Sequence, residues 1–147
     1  MFVVDTNILI YGANADAPEH ETCRDLLDVW RRQNTPWYIS WGIAYEFLRV
    51  ATHPRILPAP LRIADAWNFL EALMASPSMG FLLPTDQHAN VAAQVVRDLP
   101  FLSGNLLLDT RTAVLMREHG LRTIYTHDAD FFRFHFLEVK DPLAARL

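Results

Sequence analysis

The chain has 147 residues, of which 51% are hydrophobic and 20% charged, with a formal net charge of −4. This length and composition predict a single folded domain over residues 1–147, and the negative charge argues against an extensive basic surface for nucleic acid. Because no apolar run is long enough to span a membrane, no signal-like segment opens the chain and Cys23 has no partner for a disulfide, we expect a cytoplasmic protein without membrane contact.

The first half of the chain predicts strands that alternate with helices. In chain order these are a strand over Met1–Val4, a short helix over Thr6–Tyr11, a helix from Glu19 through Arg32, a strand over Trp37–Ile39, a helix from Ser40 to about Thr52 and a helix across Ile63–Met74. The first strand is apolar without alternation, which is typical of a buried strand in a parallel sheet. Ser40 is a good helix N-cap.

The second half continues the same alternation. It predicts a strand over Phe81–Leu83, a helix capped by Asp86 that ends before Pro100, a helix from Asn105 to His119 that Gly120 terminates, and strands over Thr123–Tyr125 and Leu137–Val139. Short strands separated by helices predict an α/β fold, a three-layer α/β/α sandwich with a mainly parallel central sheet. Ligands in such folds bind beyond the carboxyl ends of the strands, so polar residues there carry extra weight.

Three carboxylates follow predicted strands. Asp5 comes directly after the first strand, where an isolated aspartate is more often a helix cap than a catalyst. Asp128 and Asp130 follow the strand that ends at Tyr125, and their two-residue offset in extended chain directs both side chains the same way. A simple turn or cap residue remains the alternative for Asp128 alone.

Two further carboxylates lie on predicted helices that are largely apolar. Glu46 belongs to a helix that is apolar almost all round, and an ion pair with Arg49 on its one polar face is an equally good interpretation. Asp109 shares its helical face with apolar residues, so it is expected to be half-buried and must be paired, protonated or bound to metal. The spacing of Arg111 and Arg117 does not favour pairing with it.

Together these five acids predict one metal site. Two unit charges about 4 Å apart repel by roughly 4 kcal/mol at an effective dielectric of 20, so a cluster of ionised carboxylates is costly without a cation. Mg²⁺ and Mn²⁺ prefer carboxylate and water oxygens and are therefore the expected ions. The histidines, including His53 and His127, do not show the spacing of a zinc site.

Several short motifs follow one another along the whole chain. They are DTN after the first strand, YEFLRVATHP around Glu46, Asp109 near the start of a late helix, EHG at Glu118–Gly120, THDADFFRF around Asp128, and DPL at Asp141–Leu143. Their order and spacing resemble the PIN-domain ribonucleases, especially the VapC toxins of VapBC toxin–antitoxin systems. One departure concerns the late motif, which commonly continues with alanine and small residues. Here Asp109 is followed by Thr110-Arg111-Thr112, which implies tighter packing or an added polar contact near the metal.

The resemblance implies roles for particular residues. The metal-site acids are Asp5, Glu46, Asp109 and Asp128, with Asp130 similar to the family's additional acid and Thr6, Asn7 and Thr126 similar to its supporting polar residues. From the residues themselves, Arg49, Arg111 and Arg133 are candidates for contact with substrate phosphate, although surface or carboxylate-pairing roles fit them equally well.

The resemblance also implies an activity and partners. It is that of a Mg²⁺- or Mn²⁺-dependent endoribonuclease that hydrolyses RNA phosphodiester bonds, in tRNA or rRNA, leaving 5′-phosphate and 3′-hydroxyl ends. A small VapB-like antitoxin would insert basic residues into the acid pocket. We expect a homodimer through the helices over Ser40–Thr52 and Pro60–Ala75, and a heterotetramer or larger assembly with antitoxin.

Two other functions are compatible with parts of the sequence. A phosphatase of the haloacid-dehalogenase type would use Asp5 as its nucleophile, but such enzymes need a second aspartate where this chain has Asn7, and the only lysine, Lys140, is poorly supported as their phosphate-binding residue. A non-catalytic PIN-like interaction module would instead use the acids to bind a partner's arginines. An intact acid set argues against a purely degenerate module.

Overall fold

The computed structural model describes residues 1–144, which contain a five-stranded parallel sheet and six α-helices. The strands are β1 (Phe2–Val4), β2 (Trp37–Ser40), β3 (Met79–Leu82), β4 (Thr123–Tyr125) and β5 (Glu138–Lys140). The helices are α1 (Thr6–Ala13), α2 (His20–Arg32), α3 (Trp41–Ala51), α4 (Ile63–Met74), α5 (His88–Asp98) and α6 (Leu106–Glu118), with a 3₁₀ helix over Ala129–Arg133. The predicted α/β class and parallel sheet are confirmed.

The strand order β3-β2-β1-β4-β5 places β1 in the centre of the sheet. Val3 is in register with Tyr38 of β2 on one side and with Ile124 of β4 on the other. The chain moves outward through β2 to β3, then returns across the sheet to β4. Because parallel crossovers are right-handed, this reversal assigns α1–α4 to one face and α5 and α6 to the other. The reversal point lies between β1 and β4, where ligands bind in such sheets.

The core is built around the two central strands and the helices that cover them. All three residues of β1 are buried, and Val3 and Val4 are completely inaccessible to solvent. A large aromatic side chain is fully buried on β2, at Trp37, and two more lie in or beside the 3₁₀ helix, at Phe131 and Phe134. This packing fixes the segment after β4 against the sheet and so positions the acids within it.

The EHG motif explains how α6 ends and how the loop after β3 is held. Gly120 adopts a positive φ of 68°, and the next residue donates a backbone hydrogen bond from Leu121 N to Met116 O (2.8 Å), as in a glycine-terminated helix. The Glu118 side chain, only 1% exposed, accepts hydrogen bonds from Thr85 and from His88 Nδ1. His119 Nε2 lies 2.7 Å from Leu83 O. The motif therefore ties α6 to the β3–α5 loop.

Most predicted elements are present, with corrections at some of their ends. Strand β3 begins at Met79 rather than Phe81 and contains Gly80, where a side chain would collide with the Tyr38 ring across the strand pair. The predicted capping role of Asp86 is wrong, because α5 begins at His88 after Gln87. Thr85 Oγ1, rather than Asp86, accepts the hydrogen bond from the Gln87 backbone N–H (3.1 Å). No helix within residues 1–144 has the length and apolar character needed to cross a bilayer.

Candidate metal centre

The carboxyl ends of β1 and β4 lie side by side and carry the first elements of an acidic site. Asp5 follows β1, and its backbone N–H donates to Tyr125 O of β4 (3.0 Å). Thr126 follows β4 and donates its backbone N–H to Lys140 O of β5 (3.1 Å). The parallel register therefore brings the two post-strand segments together at the reversal point of the sheet.

Asp5 is buried and hydrogen-bonded from two directions. Its side chain makes no N-cap bond to α1; instead Oδ2 accepts from Asn7 Nδ2 and from Thr126 Oγ1, both at 2.7 Å. Burial raises the pKa of Asp5, and the charges of Glu46 and Asp128 also raise it, while the hydrogen bonds from the Thr126 side chain and the Thr6 backbone lower it. The net result is a pKa of about 6. Asp5 is therefore not a simple helix cap: Asn7 and Thr126 hold its carboxyl group, and the side chain does not cap α1.

Glu46 reaches the same pocket from α3. Ser40 caps that helix as predicted, with its Oγ accepting from the Ile43 backbone N–H (3.1 Å). Thr6 Oγ1 donates to Glu46 Oε2 (3.1 Å), and an Arg49 guanidinium nitrogen lies 3.8 Å from Oε1. Glu46 thus forms the ion pair with Arg49 and also lines the cavity with the other acids, while its role in metal binding stays a prediction.

Asp109 lies in the first turns of α6 and is half-buried, as its helical face predicted. Burial, together with repulsion from the charges of Asp5, Asp128, Glu46 and Asp130, raises its pKa to about 7. Within residues 1–144 no cationic side chain pairs with it: Arg111 Nε is directed to Leu108 O, and Arg117 pairs with Asp98 at 3.0 Å. The carboxyl group is thus left to protonation or to a cation.

Asp128 and Asp130 complete the acidic group from the segment after β4. The Asp128 N–H donates to Thr126 Oγ1 (3.0 Å), and Asp128 Oδ1 accepts from the Asp130 N–H (2.9 Å), which caps the 3₁₀ helix. One carboxylate oxygen each from Asp109, Asp128 and Asp130 lies within 4.8 Å of the others. Asp128 therefore caps the 3₁₀ helix, which was the alternative interpretation for this residue, and it also belongs to the acidic cluster.

These acids open into a cavity of about 350 Å³. Four of the five predicted acids line it, namely Asp5, Glu46, Asp109 and Asp128, together with Thr6 and Asn7. The rest of the lining is an apolar wall made of Ile10, Tyr11, Val50, Ile56 and Leu57. The sequence analysis found the acids and missed this wall, whose residues look like ordinary core positions until α1, α3 and the loop after α3 are brought together.

The donor set fits a hard divalent cation. Every candidate ligand is a carboxylate oxygen, the type that Mg²⁺ and Mn²⁺ prefer. The pKa values of Asp5 and Asp109 are raised partly by repulsion from the neighbouring carboxylates, and a doubly charged cation relieves this repulsion. The closely spaced Asp109, Asp128 and Asp130 are the best-placed candidate ligands, and Asp5 and Glu46 line the same cavity as Asp109 and Asp128.

The three candidate arginines lie in different places. Arg49 is beside Glu46 at the cavity, and Arg133 lies 3.9 Å from Asp130. Arg111 is directed away from the acids into a separate groove, where its guanidinium carbon would be 3.3 Å from a side chain placed at Gly42. Two of the three thus lie next to site acids.

The residues that depart from the usual late motif do not reach the acids. Thr110 Oγ1 donates to Leu106 O of its own helix (2.8 Å). Thr112 is buried, and Arg111 occupies the separate groove. The departure therefore adds packing to α6 rather than the polar contact near the metal that the sequence had suggested.

The DPL segment also has a place beside the site. Both Asp141 carboxylate oxygens lie within hydrogen-bonding distance of His127 Nδ1, at 3.0 and 2.9 Å. The His127 backbone N–H donates to Asn7 Oδ1 (3.0 Å). Asp141 thus holds the segment that carries Asp128, a link that the sequence pattern did not reveal.

Comparison with known proteins agrees with this geometry. The family model described as PIN domain matches residues 2–137. This chain belongs to the PIN-domain family. Ribonuclease VapC48 of Mycobacterium tuberculosis is 30% identical over 140 residues, covering 95% of this chain and 96% of that protein. The resemblance inferred from the motifs is confirmed.

Solved structures of PIN-domain proteins share the fold. The crystal structure of VapC20 from Mycobacterium tuberculosis, described as a sarcin-ricin loop cleaving toxin, superposes with a TM-score of 0.65 at 19% identity, covering 96% of this chain and 100% of that chain. VapBC2 from Rickettsia felis, bound to a DNA fragment from its promoter, gives a TM-score of 0.63 at 15% identity over 95% of this chain and 96% of that chain. At these identities the likeness concerns the fold alone.

Proposed function

We propose that this PIN-domain protein is a Mg²⁺- or Mn²⁺-dependent endoribonuclease and the toxin of a type II toxin–antitoxin pair. The observation that carries the proposal is the convergence of Asp5, Glu46, Asp109 and Asp128, from distant parts of the chain, on one cavity. The name of its relative VapC48, a ribonuclease of similar length, supports the same activity.

Asp5, Glu46, Asp109 and Asp128 would hold the metal, directly or through water, with Asp130 as an additional ligand at the exposed side. A bound divalent ion lowers the pKa of water and neutralises charge that develops on phosphate oxygens. The acids orient the attacking water through their acceptor oxygens, and Thr126 and Asn7 hold the Asp5 carboxylate in its ionised form.

The substrate and partners follow from the family. The proposed substrate is an RNA phosphodiester, in tRNA or rRNA, cleaved to 5′-phosphate and 3′-hydroxyl ends in the cytoplasm. Arg49 and Arg133 are the better placed phosphate contacts, since Arg111 faces another groove. A VapB-like antitoxin is the proposed partner, its basic residues complementing the acids.

A homodimer is proposed through α3 and α4, with a heterotetramer or larger complex forming on antitoxin binding. Three large apolar residues of these helices are exposed: Trp41 (39%), Tyr45 (65%) and Ile63 (62%). An apolar surface of this kind favours association. Light scattering of the isolated chain tests it, since a monomeric mass contradicts the proposed dimer.

The experiment that tests the function is cleavage of purified tRNA and rRNA with Mg²⁺ or Mn²⁺. Asp109→Asn and Asp5→Ala are expected to reduce the rate by at least about 10³-fold while circular dichroism shows an intact fold, because each removes a metal ligand. Asp65→Asn, an exposed aspartate of α4 paired with Arg62, is the matched control and retains full activity. Undiminished cleavage by Asp109→Asn, or in excess EDTA, contradicts the proposal.

The two rival functions gain no support from the site. Asn7 donates to Asp5 Oδ2, where a dehalogenase-type phosphatase needs its acid–base aspartate, and Lys140 pairs with Glu138 at 3.4 Å. Trapping of beryllium fluoride on Asp5 would revive the phosphatase. A non-catalytic module is tested by the same cleavage assay, since it predicts no RNA hydrolysis under any metal condition.

A further inference from the structure

An exposed aromatic ring and an arginine are stacked beside the metal centre. The guanidinium carbon of Arg133 lies 4.7 Å from the centroid of the Phe101 ring. Phe101 is 42% exposed, although it is a large apolar residue in a loop, and the Arg133 side chain is 48% exposed. Phe132, next to Arg133 in the 3₁₀ helix, is 65% exposed. Aromatic residues left this accessible at a functional site call for an explanation.

The pair is connected to the acids. An Arg133 nitrogen lies 3.9 Å from Asp130 Oδ1, and Asp130 belongs to the close carboxylate group with Asp109 and Asp128. An ion pair this long between two half-exposed side chains adds little stability, so it does not account for the position of Arg133. The contact with the Phe101 ring instead holds the guanidinium at the edge of the proposed metal centre.

We propose that Phe101 and Arg133 form a stacking platform for an unpaired base of the RNA substrate, next to the phosphate held at the metal centre. The inference rests on the proposed ribonuclease function and specifies its substrate class, namely RNA with unstacked nucleotides at the cleavage site. Proteins read single-stranded RNA by stacking splayed-out bases on aromatic rings and on arginine guanidinium planes. The Arg133 guanidinium lies over the Phe101 ring, and about half of the Arg133 side chain is accessible to a base.

The net negative charge of the protein favours a contact that does not rely on electrostatic attraction. With 13 lysine and arginine residues against 17 aspartate and glutamate residues, the chain has little general attraction for the RNA backbone. Stacking contributes affinity that does not depend on net charge. A base within a duplex has its faces covered by its neighbours, so the platform discriminates against fully paired RNA.

The chain contains a matched control pair elsewhere. Arg117 lies over the Phe136 ring at 5.1 Å and forms an ion pair with Asp98 at 3.0 Å. Arg117 is in the last turn of α6, whereas Asp109 is in its first turn, so the helix separates them by roughly 12 Å at about 1.5 Å per residue. A substitution at Arg117 alters the same kind of contact outside the site.

The test measures RNA binding in the inactive Asp109→Asn protein without added metal, so that the platform is measured apart from the metal centre. The probe is fluorescent oligoadenylate of about 12 nucleotides, a length that spans a typical single-strand site. Phe101→Leu and Arg133→Lys are expected to weaken binding by about fivefold or more, the scale of stacking one base. Arg117→Lys leaves it unchanged. The slope of affinity against salt stays the same in all three, because neither the lysine variants nor the leucine variant removes a charge.

The same oligonucleotide annealed to its complement provides the second arm. The platform predicts weaker binding of the duplex, and no further loss from Phe101→Leu or Arg133→Lys. Equal losses on duplex and single strand, or no loss relative to Arg117→Lys, overturn the inference. A lower mass of Phe101→Leu by light scattering also overturns it, since the ring would then contact a second copy of the chain.

Failure of this inference is distinguishable from failure of the proposed function. If the unsubstituted protein cleaves RNA while the platform variants bind as tightly as the Arg117→Lys control, the ribonuclease stands and the platform is refuted. If the unsubstituted protein cleaves no RNA, the function itself is refuted whatever the binding data show.

Discussion

At the scale of single residues, the proposed metal site depends on how the Asp5 carboxylate is held. The carboxylate is only 7% exposed, and burial alone favours its protonated form. Thr126, which is fully buried, and Asn7 both donate to the same oxygen and oppose protonation. These two donors fix the orientation of Asp5 as outer-shell partners do in metal sites.

Replacing Thr126 with valine tests this role because the two side chains have the same shape. The variant loses the hydrogen bond to Asp5 Oδ2, so we expect RNA cleavage or metal affinity to fall by about 10- to 100-fold. Single-turnover cleavage at saturating RNA measures the effect. Thr123→Val in β4, the strand that Thr126 follows, is the control, because the Thr123 hydroxyl donates to exposed Glu138 and not to a site acid. Equal rates for both variants contradict a role of Thr126 in the site.

The raised pKa values predict how the metal-free protein responds to pH. Asp5 and Asp109 have folded-state pKa values of about 6 and about 7, above the ordinary value of 3.8. When folding raises the pKa of a carboxyl group, ionisation of that group destabilises the folded state. Its contribution to the free energy of unfolding is therefore fully present below the pKa of the unfolded state and is lost as the pH rises through the pKa of the folded state. We therefore expect the free energy of unfolding in EDTA to decline between about pH 4 and pH 7.

Urea unfolding across this range measures the decline, and Asp109→Asn provides the internal comparison. The asparagine cannot ionise, so the variant should lose less stability than the unsubstituted protein as pH rises. Added Mg²⁺ should restore stability at the high-pH end of the unsubstituted protein. Parallel pH profiles for the two proteins would show that Asp109 does not titrate as described.

At the scale of elements, the last turn of α6 holds the β3–α5 loop through Glu118. Burial raises the pKa of this side chain, but hydrogen bonds from Thr85 and His88 outweigh burial and lower it to about 2. The resulting stabilisation is present above the ordinary pKa of 4.5 and is lost as the pH falls through about 2.

Glu118→Ala is expected to lower the free energy of unfolding by about 1–3 kcal/mol at neutral pH, because it leaves several donors without an acceptor. The difference from the unsubstituted protein should shrink as pH falls from about 4.5, as the linkage requires. RNA cleavage at low temperature should be unaffected, since Glu118 does not line the acid cavity. Glu21→Ala on α2 is the exposed control. A loss of activity without a loss of stability would contradict a purely structural role.

Helices and strands whose ends are marked by local sequence features, such as a capping residue, were predictable from the sequence. Those whose ends are set by tertiary contacts were not. Ser40 caps α3, as its residue type and position predicted, and it also ends β2, one residue beyond the predicted strand. The start of β3 was missed because Gly80 has no side chain to mark a strand, while its position is set by the Tyr38 ring. The 3₁₀ helix over Ala129–Arg133 was also missed, since the packing of Phe131 and the Asp128 cap define it.

At the scale of the whole molecule, the position of the site follows from the strand order. The chain adds strands outward from β1 on one side of the sheet and then continues with β4 on the other side, so the order of strands reverses between β1 and β4. The residues that follow these two strands lie at one edge of the sheet, and Asp5 and Asp128 therefore converge from opposite ends of the chain. Sequence spacing and the family motifs together identified these acids. They could not identify the direction of Arg111, the apolar wall with Tyr11, or the Phe101 platform, because these depend on the packing of loops and helices.

The account depends on the proposal that a divalent cation stabilises the ionised form of this group of carboxylates. Calorimetric titration of Mn²⁺ into the metal-free protein at about pH 8 tests this most directly, because the acids are then ionised. We predict saturable binding by the unsubstituted protein and by Asp65→Asn, and loss of that binding in Asp109→Asn. Absence of Mn²⁺ binding by the unsubstituted protein, or unchanged binding by Asp109→Asn, would contradict the metal centre and the ribonuclease built on it.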